Sequence, residues 1–189
     1  MAEEKRINDL QLVVFRLSDE EYAIPIIQVH EIIKPTDVTR IPGMPEFVEG
    51  VINLRGKVIP IIDIRKRFRL GIKKQTEDTR VVVVDVDIQV VGLIVDSVTE
   101  VLRIPSESID PVPATISRIS SEYLSGIGKL RGRLLIILDV GRMLTDLEKV
   151  SLEQAKEVIT DAQRKPDNDS SDDKEEKPER DRKKEGNKP

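Results

Sequence analysis

The feature that most constrains this chain is an internal repeat. Phe47-Val48-Glu49-Gly50-Val51-Ile52-Asn53-Leu54-Arg55-Gly56-Lys57 aligns with Tyr123-Leu124-Ser125-Gly126-Ile127-Gly128-Lys129-Leu130-Arg131-Gly132-Arg133 at a constant offset of 76. The same offset carries on to pair Ile62-Asp63-Ile64 with Leu138-Asp139-Val140. Upstream, Val29-His30-Glu31-Ile32-Ile33-Lys34 aligns with Val98-Thr99-Glu100-Val101-Leu102-Arg103 at an offset of 69. The change of offset puts an insertion in the second copy, and the Pro- and Ser-rich stretch 105–121 is the natural place for it. A unit of about 70 residues buries too little surface to be comfortable alone, so each copy is expected to pack on its twin, with a connection crossing between them.

Each copy reads as short strands. Val and Ile account for 44 of the 189 residues, and β-branched side chains suit a pleated, half-buried surface. Strands are expected over 10–17, 22–26, 29–34, 48–54, 58–64, 81–86, 90–95, 98–104, 126–130 and 134–138. Arg55-Gly56-Lys57, Asp87-Ile88-Gln89 and Arg131-Gly132-Arg133 are hairpin turns, with Gly supplying the φ freedom in the first and third. Pro25 restricts how its flanking strands sit in a sheet. The stretch 105–121 is expected to be irregular and exposed. The pattern predicts a mainly β fold of small barrels.

Helical signals are few. Asp63 and Asp139 stand where an N-cap would open short helices over 64–70 and 140–147. Ser151-Leu152-Glu153-Gln154 reads as a capping box, opening a C-terminal helix over 151–163. Its Leu152, Ala155, Val158, Ile159 and Ala162 form one apolar stripe expected to dock on the body.

Charge is unevenly spread. Residues 161–189 hold 19 of the 66 charged residues and one apolar side chain, Ala162. The body is then of ordinary soluble composition, while 164–189 cannot bury a core and is expected to be a disordered charged tail. The absence of Cys excludes disulfides, thiolate metal sites and cysteine nucleophiles. With His30 the single histidine, a multi-histidine metal site is excluded too. No metal or cofactor is expected. The near-balance of acids and bases gives no basic footprint for nucleic acid. No apolar run approaches the ~20 residues needed to span a bilayer, and Met1-Ala2-Glu3-Glu4 is too acidic for a signal peptide. A soluble, cytoplasmic protein is expected.

Asp63 and Asp139, one per copy, invite comparison with an aspartic dyad. That chemistry needs each carboxylate on an Asp-Thr/Ser-Gly loop; here Ile64-Arg65 and Val140-Gly141 follow, so the helix-cap reading is preferred. His30 reads as a surface histidine. A small-ligand-binding or enzymatic double barrel using Asp63 and Asp139 is the rival to an interaction module. The Arg-Gly turns admit two readings of similar weight, a solvated hairpin tip or an arginine poised for bidentate contact with a partner carboxylate. Val29-x-Glu31 and Val98-x-Glu100 are expected to set an apolar and an acidic side chain on one strand face, as a barrel rim or an interface.

The run from Phe47 to Asp63 closely resembles the Asn-Leu-Arg-Gly signature of the CheW family of bacterial chemotaxis coupling proteins. Asp19-Glu20-Glu21-Tyr22, Val29-His30-Glu31-Ile32, Val38-Thr39-Arg40-Ile41, Val91-Gly92-Leu93-Ile94-Val95-Asp96 and Ser121-Glu122-Tyr123-Leu124-Ser125-Gly126 support it in family order over 10–150. The resemblance implies two packed five-stranded Src-homology-3-like barrels in a domain spanning 8–160. The barrel-forming halves are roughly 10–70 and 79–147, with strands able to exchange between them. It implies a non-enzymatic adaptor joining the regulatory domain of the histidine kinase CheA to the cytoplasmic tips of methyl-accepting chemotaxis receptors. Such an adaptor meets the membrane only through those receptors and binds no nucleic acid. Carried over residue by residue, the interface comprises Arg55 and Gly56 of the signature; Val29, Glu31 and Ile32; and Gly92, Val98 and Val101 near the groove between barrels. The kinase surface is expected on the first barrel. In the second copy Lys129 replaces Asn53, so only Arg55 inherits the signature role. Family relatives that carry a receiver domain, or that sit inside the kinase, fit less well. One helix and a charged tail follow residue 150, and the chain opens on its own Met1, so a standalone coupler is expected.

Overall fold

A computed structural model describes residues 9–71, 73–113, 121–130 and 132–164, without the side chains of Leu147 and 162–164. The tail, Arg131, most of the second half of the Ser-rich connection and the Ala162 side chain lie outside the described residues. The strands are β1 (Asp9–Leu17), β2 (Glu20–Pro25), β3 (Val29–Ile33), β4 (Val48–Leu54), β5 (Lys57–Asp63), β6 (Arg80–Val86), β7 (Gln89–Val95), β8 (Ser97–Pro105), β9 (Ile109–Asp110), β10 (Leu124–Leu130) and β11 (Arg133–Leu138). The helices are α1 (Ile64–Arg67) and α2 (Asp146–Arg164).

The fold is mainly β, in two sheets. One has six strands in the order β8-β1-β2-β11-β10-β9, the other five in the order β3-β6-β7-β5-β4. Each sheet draws on both copies of the repeat. The β1–β2 hairpin lies between β8 and β11 of the second copy, and its counterpart β6–β7 lies between β3 and β5 of the first. The seams are the antiparallel pairs β1–β8 and β3–β6 and the parallel pairs β2–β11 and β5–β7. The connection expected to be irregular contributes β9, whose Asp110 pairs with Ile127. At the equivalent place in the other sheet, Thr39 makes a single bridge to Val51.

Close approach of that extra segment explains two glycines. A Cβ on Gly50 would sit 2.2 Å from the Thr39 carbonyl oxygen, and one on Gly126 would sit 2.6 Å from Ile109. Each sheet covers a small apolar cluster of its own, one around Leu12, Val14 and Ile137, the other around Ile52, Ile61 and Val83. A larger cluster containing Phe15, Tyr22, Val84, Leu93 and Leu138 fills the space between the sheets. Alternation along each strand sends one face to the sheet's own cluster and the other to the shared one, which is why β6 reads as four consecutive valines.

The two aspartates do cap. Asp63 accepts from the amides of Arg65 and Lys66 at 2.8 and 3.3 Å. Asp139 accepts from the Gly141 amide at 3.1 Å, opening only a 3₁₀ turn over Val140–Arg142 and not a helix to 147. The C-terminal helix starts earlier than its expected box. Thr145 and Glu148 form the reciprocal cap, at 2.7 Å from the Thr145 amide to Glu148 Oε2 and 3.3 Å from the Glu148 amide to Thr145 Oγ1. Ser151 lies inside the helix. Of the expected stripe, Leu152 and Ala155 are buried and Ile159 is half-buried, but Val158 is 70% exposed.

Arg67 fixes this start. Its guanidinium donates to Glu148 at 3.1 and 3.2 Å and to the Met143 carbonyl at 2.8 Å, and it lies over the Phe47 and Tyr123 rings. Glu148 therefore serves two elements, and the helix begins where it can reach both.

Candidate interaction surface

The Asn-Leu-Arg-Gly run folds into the β4–β5 turn. Arg55 and Gly56 both take positive φ, 53° and 84°, as a two-residue hairpin turn compatible with sheet twist demands. Asn53 secures it, its Oδ1 accepting the Gly56 amide at 2.8 Å. Arg55 is held at the outer corner with its side chain 80% exposed and donates to Glu31 Oε2 on β3 at 2.9 Å. In the second copy Lys129 replaces the Asn and reaches Asp110 on β9 instead, at 2.5 Å.

Edge strand β3 carries a bulge. Val29 pairs with Val84 and Glu31 with the adjacent Val83, leaving His30 as the extra residue. The β8 strand repeats it: Val98 pairs with Phe15 and Glu100 with Val14, Thr99 being the extra residue. The expectation that Val29 and Glu31, or Val98 and Glu100, share a face is therefore corrected. The inserted residue turns the two side chains to opposite faces. Val29 and Val98 pack on the central cluster, whereas Glu31 and Glu100 face the other way and meet arginines.

The expected site residues fall into three places. Arg55, Gly56 and Glu31 form one polar corner. Ile32 and Val101, equivalent in the repeat, are 39% and 51% exposed on the edge strands β3 and β8. They stand opposite Val82 and Val13, on the faces that carry the central cluster, and so extend its apolar surface to solvent. Gly92 is different: it is buried in the five-stranded sheet, where a Cβ would lie 2.6 Å from Ile61 and 2.8 Å from Val81. It offers the surface no side chain.

His30 stands at the surface as its sequence reading has it, while Arg133, Leu134 and Ile27 were not singled out as site residues. His30 Nε2 lies 2.6 Å from Asp85 Oδ1 at the surface. Arg133 bridges Glu100 and Glu21 at 2.5 and 3.2 Å, the second copy's answer to Arg55–Glu31. Leu134 and Ile27 are 62% and 88% exposed. Arg133 aligns with Lys57, so the repeat did mark a cation there; its two partners come from other strands.

Burial pushes the Asp63 carboxyl above its ordinary range, opposed by the Lys66 and Arg65 amides it caps. Both Asp63 and Asp139 are committed to backbone amides. Among the described residues no group of acidic, His or Cys side chains could hold a metal ion.

A CheW-like domain model matches residues 11–148. The chain belongs to the CheW family. The chemotaxis protein CheW of Helicobacter pylori is 47% identical over 135 residues, which are 71% of this chain and 81% of that protein. The chemotaxis protein CheW of Klebsiella aerogenes is 41% identical over 138 residues, 73% of this chain and 83% of that protein. Among solved structures, the scaffolding protein TtCheW of Thermoanaerobacter tengcongensis superposes with a TM-score of 0.70 at 38% identity, covering 78% of this chain and 96% of that one. The family match spans both sheets and the signature turn.

Proposed function

We propose that the chain is a non-enzymatic adaptor that couples the cytoplasmic tips of methyl-accepting chemotaxis receptors to the regulatory domain of the kinase CheA. It would work in the cytoplasm, reaching membrane arrays only through the receptors; among the described residues no helix is long and apolar enough to cross a membrane. The observation that carries this reading is the Arg55–Glu31 corner. An arginine held by turn geometry, 80% exposed and tethered by one carboxylate, keeps donors free for a second one. Apart from that corner, the exposed Ile32 on β3 and its twin Val101 on β8 of the other sheet supply the apolar contact that a polar corner lacks. Val29 and Val98 support that surface from beneath, and Gly92 shapes the sheet under it.

The test is capture of partners from cytoplasmic extract by the full chain, Arg55→Ala and Val101→Asp. CheA and receptor fragments are expected on the full chain and depleted on both variants. Equal capture by all three would overturn the reading. Val101 is the better position for an introduced charge than Val98, which packs on the central cluster and would destabilise the fold.

A further inference from the structure

A groove of about 550 Å³ runs between α2 and the β6–β7 turn, away from the Arg55–Glu31 corner in sequence and built from the second copy. Its apolar surface is Val86, Ile88 and Val150, flanked by Gln154. Asp87 takes the positive φ of the turn, 54°, and leaves Ile88 at the outer corner, 96% exposed. Hairpin turns of this length normally carry Gly or a small polar residue there, so an isoleucine is costly unless something covers it.

The helix contributes a matching stripe. Val150, 55% exposed, and Gln154 line the groove one turn apart on the face of α2 away from the buried Leu152 and Ala155, and Val158, 70% exposed, continues that row beyond it. The groove is held open by contacts beneath it. Gln89 Nε2 donates to the Lys149 carbonyl at 2.8 Å, and Lys149 Nζ donates to Asp87 at 2.5 Å. Helix and turn are thereby locked together before anything binds.

Charge specifies the occupant. The rim presents Asp87, Asp146, Glu153 and Glu157. Lys149, the one cation lining the groove among the described residues, is shared by Asp87 and Asp146, Glu153 pairs with Lys156 on the helix at 3.1 Å, and Glu157 forms no ion pair with another described residue. The chain's own segment after Arg164 has no apolar side chain and cannot cover Ile88 and Val150. A filling segment must bring apolar side chains at helical spacing flanked by Lys or Arg. We propose that this groove docks a cationic amphipathic helix of a partner protein, through Ile88 and Val150 at its floor and the carboxylates at its rim.

The test uses the full chain and a labelled synthetic helix with leucines at i, i+4 and i+7 and lysines between them, followed by fluorescence anisotropy. A second peptide has serine in place of leucine. The account expects saturable one-to-one binding of the leucine peptide only, weakened about tenfold or more by Ile88→Asp or Val150→Asp, each an exposed position that leaves the core intact. Glu153→Lys/Glu157→Lys should weaken it by a similar factor, and Arg55→Ala should leave it unchanged. Absence of saturable binding, equal binding of the serine peptide, or equal affinity across the groove variants overturns the proposal. So does self-association of the chain that Ile88→Asp disperses, since the occupant would then be a second copy.

Discussion

Glu31 and Glu100 occupy the same position in the two copies, each follows a one-residue bulge on an edge strand, and each accepts from an arginine of a hairpin beyond its own strand, Arg55 at 2.9 Å and Arg133 at 2.5 Å. The duplication thus preserved a bulge and an ion pair as well as strands. The two corners differ in what they leave free. Arg133 is shared by Glu21 and Glu100, whereas among the described residues Arg55 meets one carboxylate, Glu31.

The latch on α2 is a stability element. Removing Arg67 leaves Glu148, 19% exposed, without its cation and with only the Thr145 amide, and takes the guanidinium donor from the Met143 carbonyl. Arg67→Ala is expected to cost about 2–3 kcal/mol, read by urea unfolding, while Lys149→Ala should cost about 1 kcal/mol or less because its ion pairs lie at the surface. Equal costs would show that the helix is held by Leu152 and Ala155 alone.

A second buried pair gives a sharper contrast. Arg65 spans both Asp96 oxygens at 3.1 Å and donates to Ser18 Oγ at 2.5 Å, with side chains 10% and 15% exposed. Asp96→Ala strands that guanidinium and is expected to cost about 3–4 kcal/mol. Lys73, half exposed on the same carboxylate, should be replaceable by Ala for about 1 kcal/mol or less. Calorimetry of both variants decides.

Glycines separate by surroundings. At Gly56 an added Cβ meets nothing within 4 Å, whereas at Gly50, with φ +143°, it meets the Thr39 carbonyl. Gly56→Ala should cost about 1–2 kcal/mol from backbone strain alone, and Gly50→Ala at least about 3 kcal/mol because the bridging segment must move. Comparable unfolding midpoints for the two would contradict the close-approach account.

Asp63 supplies a pH test. Its carboxyl is raised in the folded state, chiefly by burial, so ionisation weakens the fold. That part of the stability is fully present at acid pH and is lost as pH rises through the folded value. Asn caps as well as Asp and carries no charge. Asp63→Asn is therefore expected to be equal to or more stable than the parent at neutral pH, with the gap closing as pH falls, whereas Asp63→Ala loses about 1 kcal/mol. Thermal unfolding at several pH values reads the trend, and a gap that widens in acid would have the sign wrong.

Much of the fold was legible because duplication writes each element twice, and because runs such as Val81–Val84 can only be strands buried on both faces. A crossing between the copies was expected, but which hairpin crosses was not legible, since β1–β2 presents the same alternation whichever sheet receives it; only pairing with β8 and β11 tells. The bulges were hidden for a related reason. Along Val29-His30-Glu31 simple alternation places the ends on one face, and the extra residue shows only against Val83 and Val84. The helix start was misplaced at Ser151-x-x-Gln154, because the cap that forms is Thr145-x-x-Glu148 and its choice rests on Arg67, far away in sequence. Arg55 and Gly56 were legible from the signature, but the bond to Glu31 was not. The resemblance puts Gly92 near the groove between barrels, but sequence could not show that it lies inside the sheet, where Ile61 and Val81 take the space a side chain would need.

The central claim is that the Arg55 corner couples partners. The most direct measurement is receptor-stimulated kinase activity, rebuilt from receptor-bearing membranes, CheA and this chain, comparing the parent with Arg55→Ala at matched folded concentration. The account predicts strong stimulation by the parent and a loss of about tenfold or more in the variant, with unfolding midpoint unchanged. Full stimulation by Arg55→Ala, or none by the parent, would contradict it.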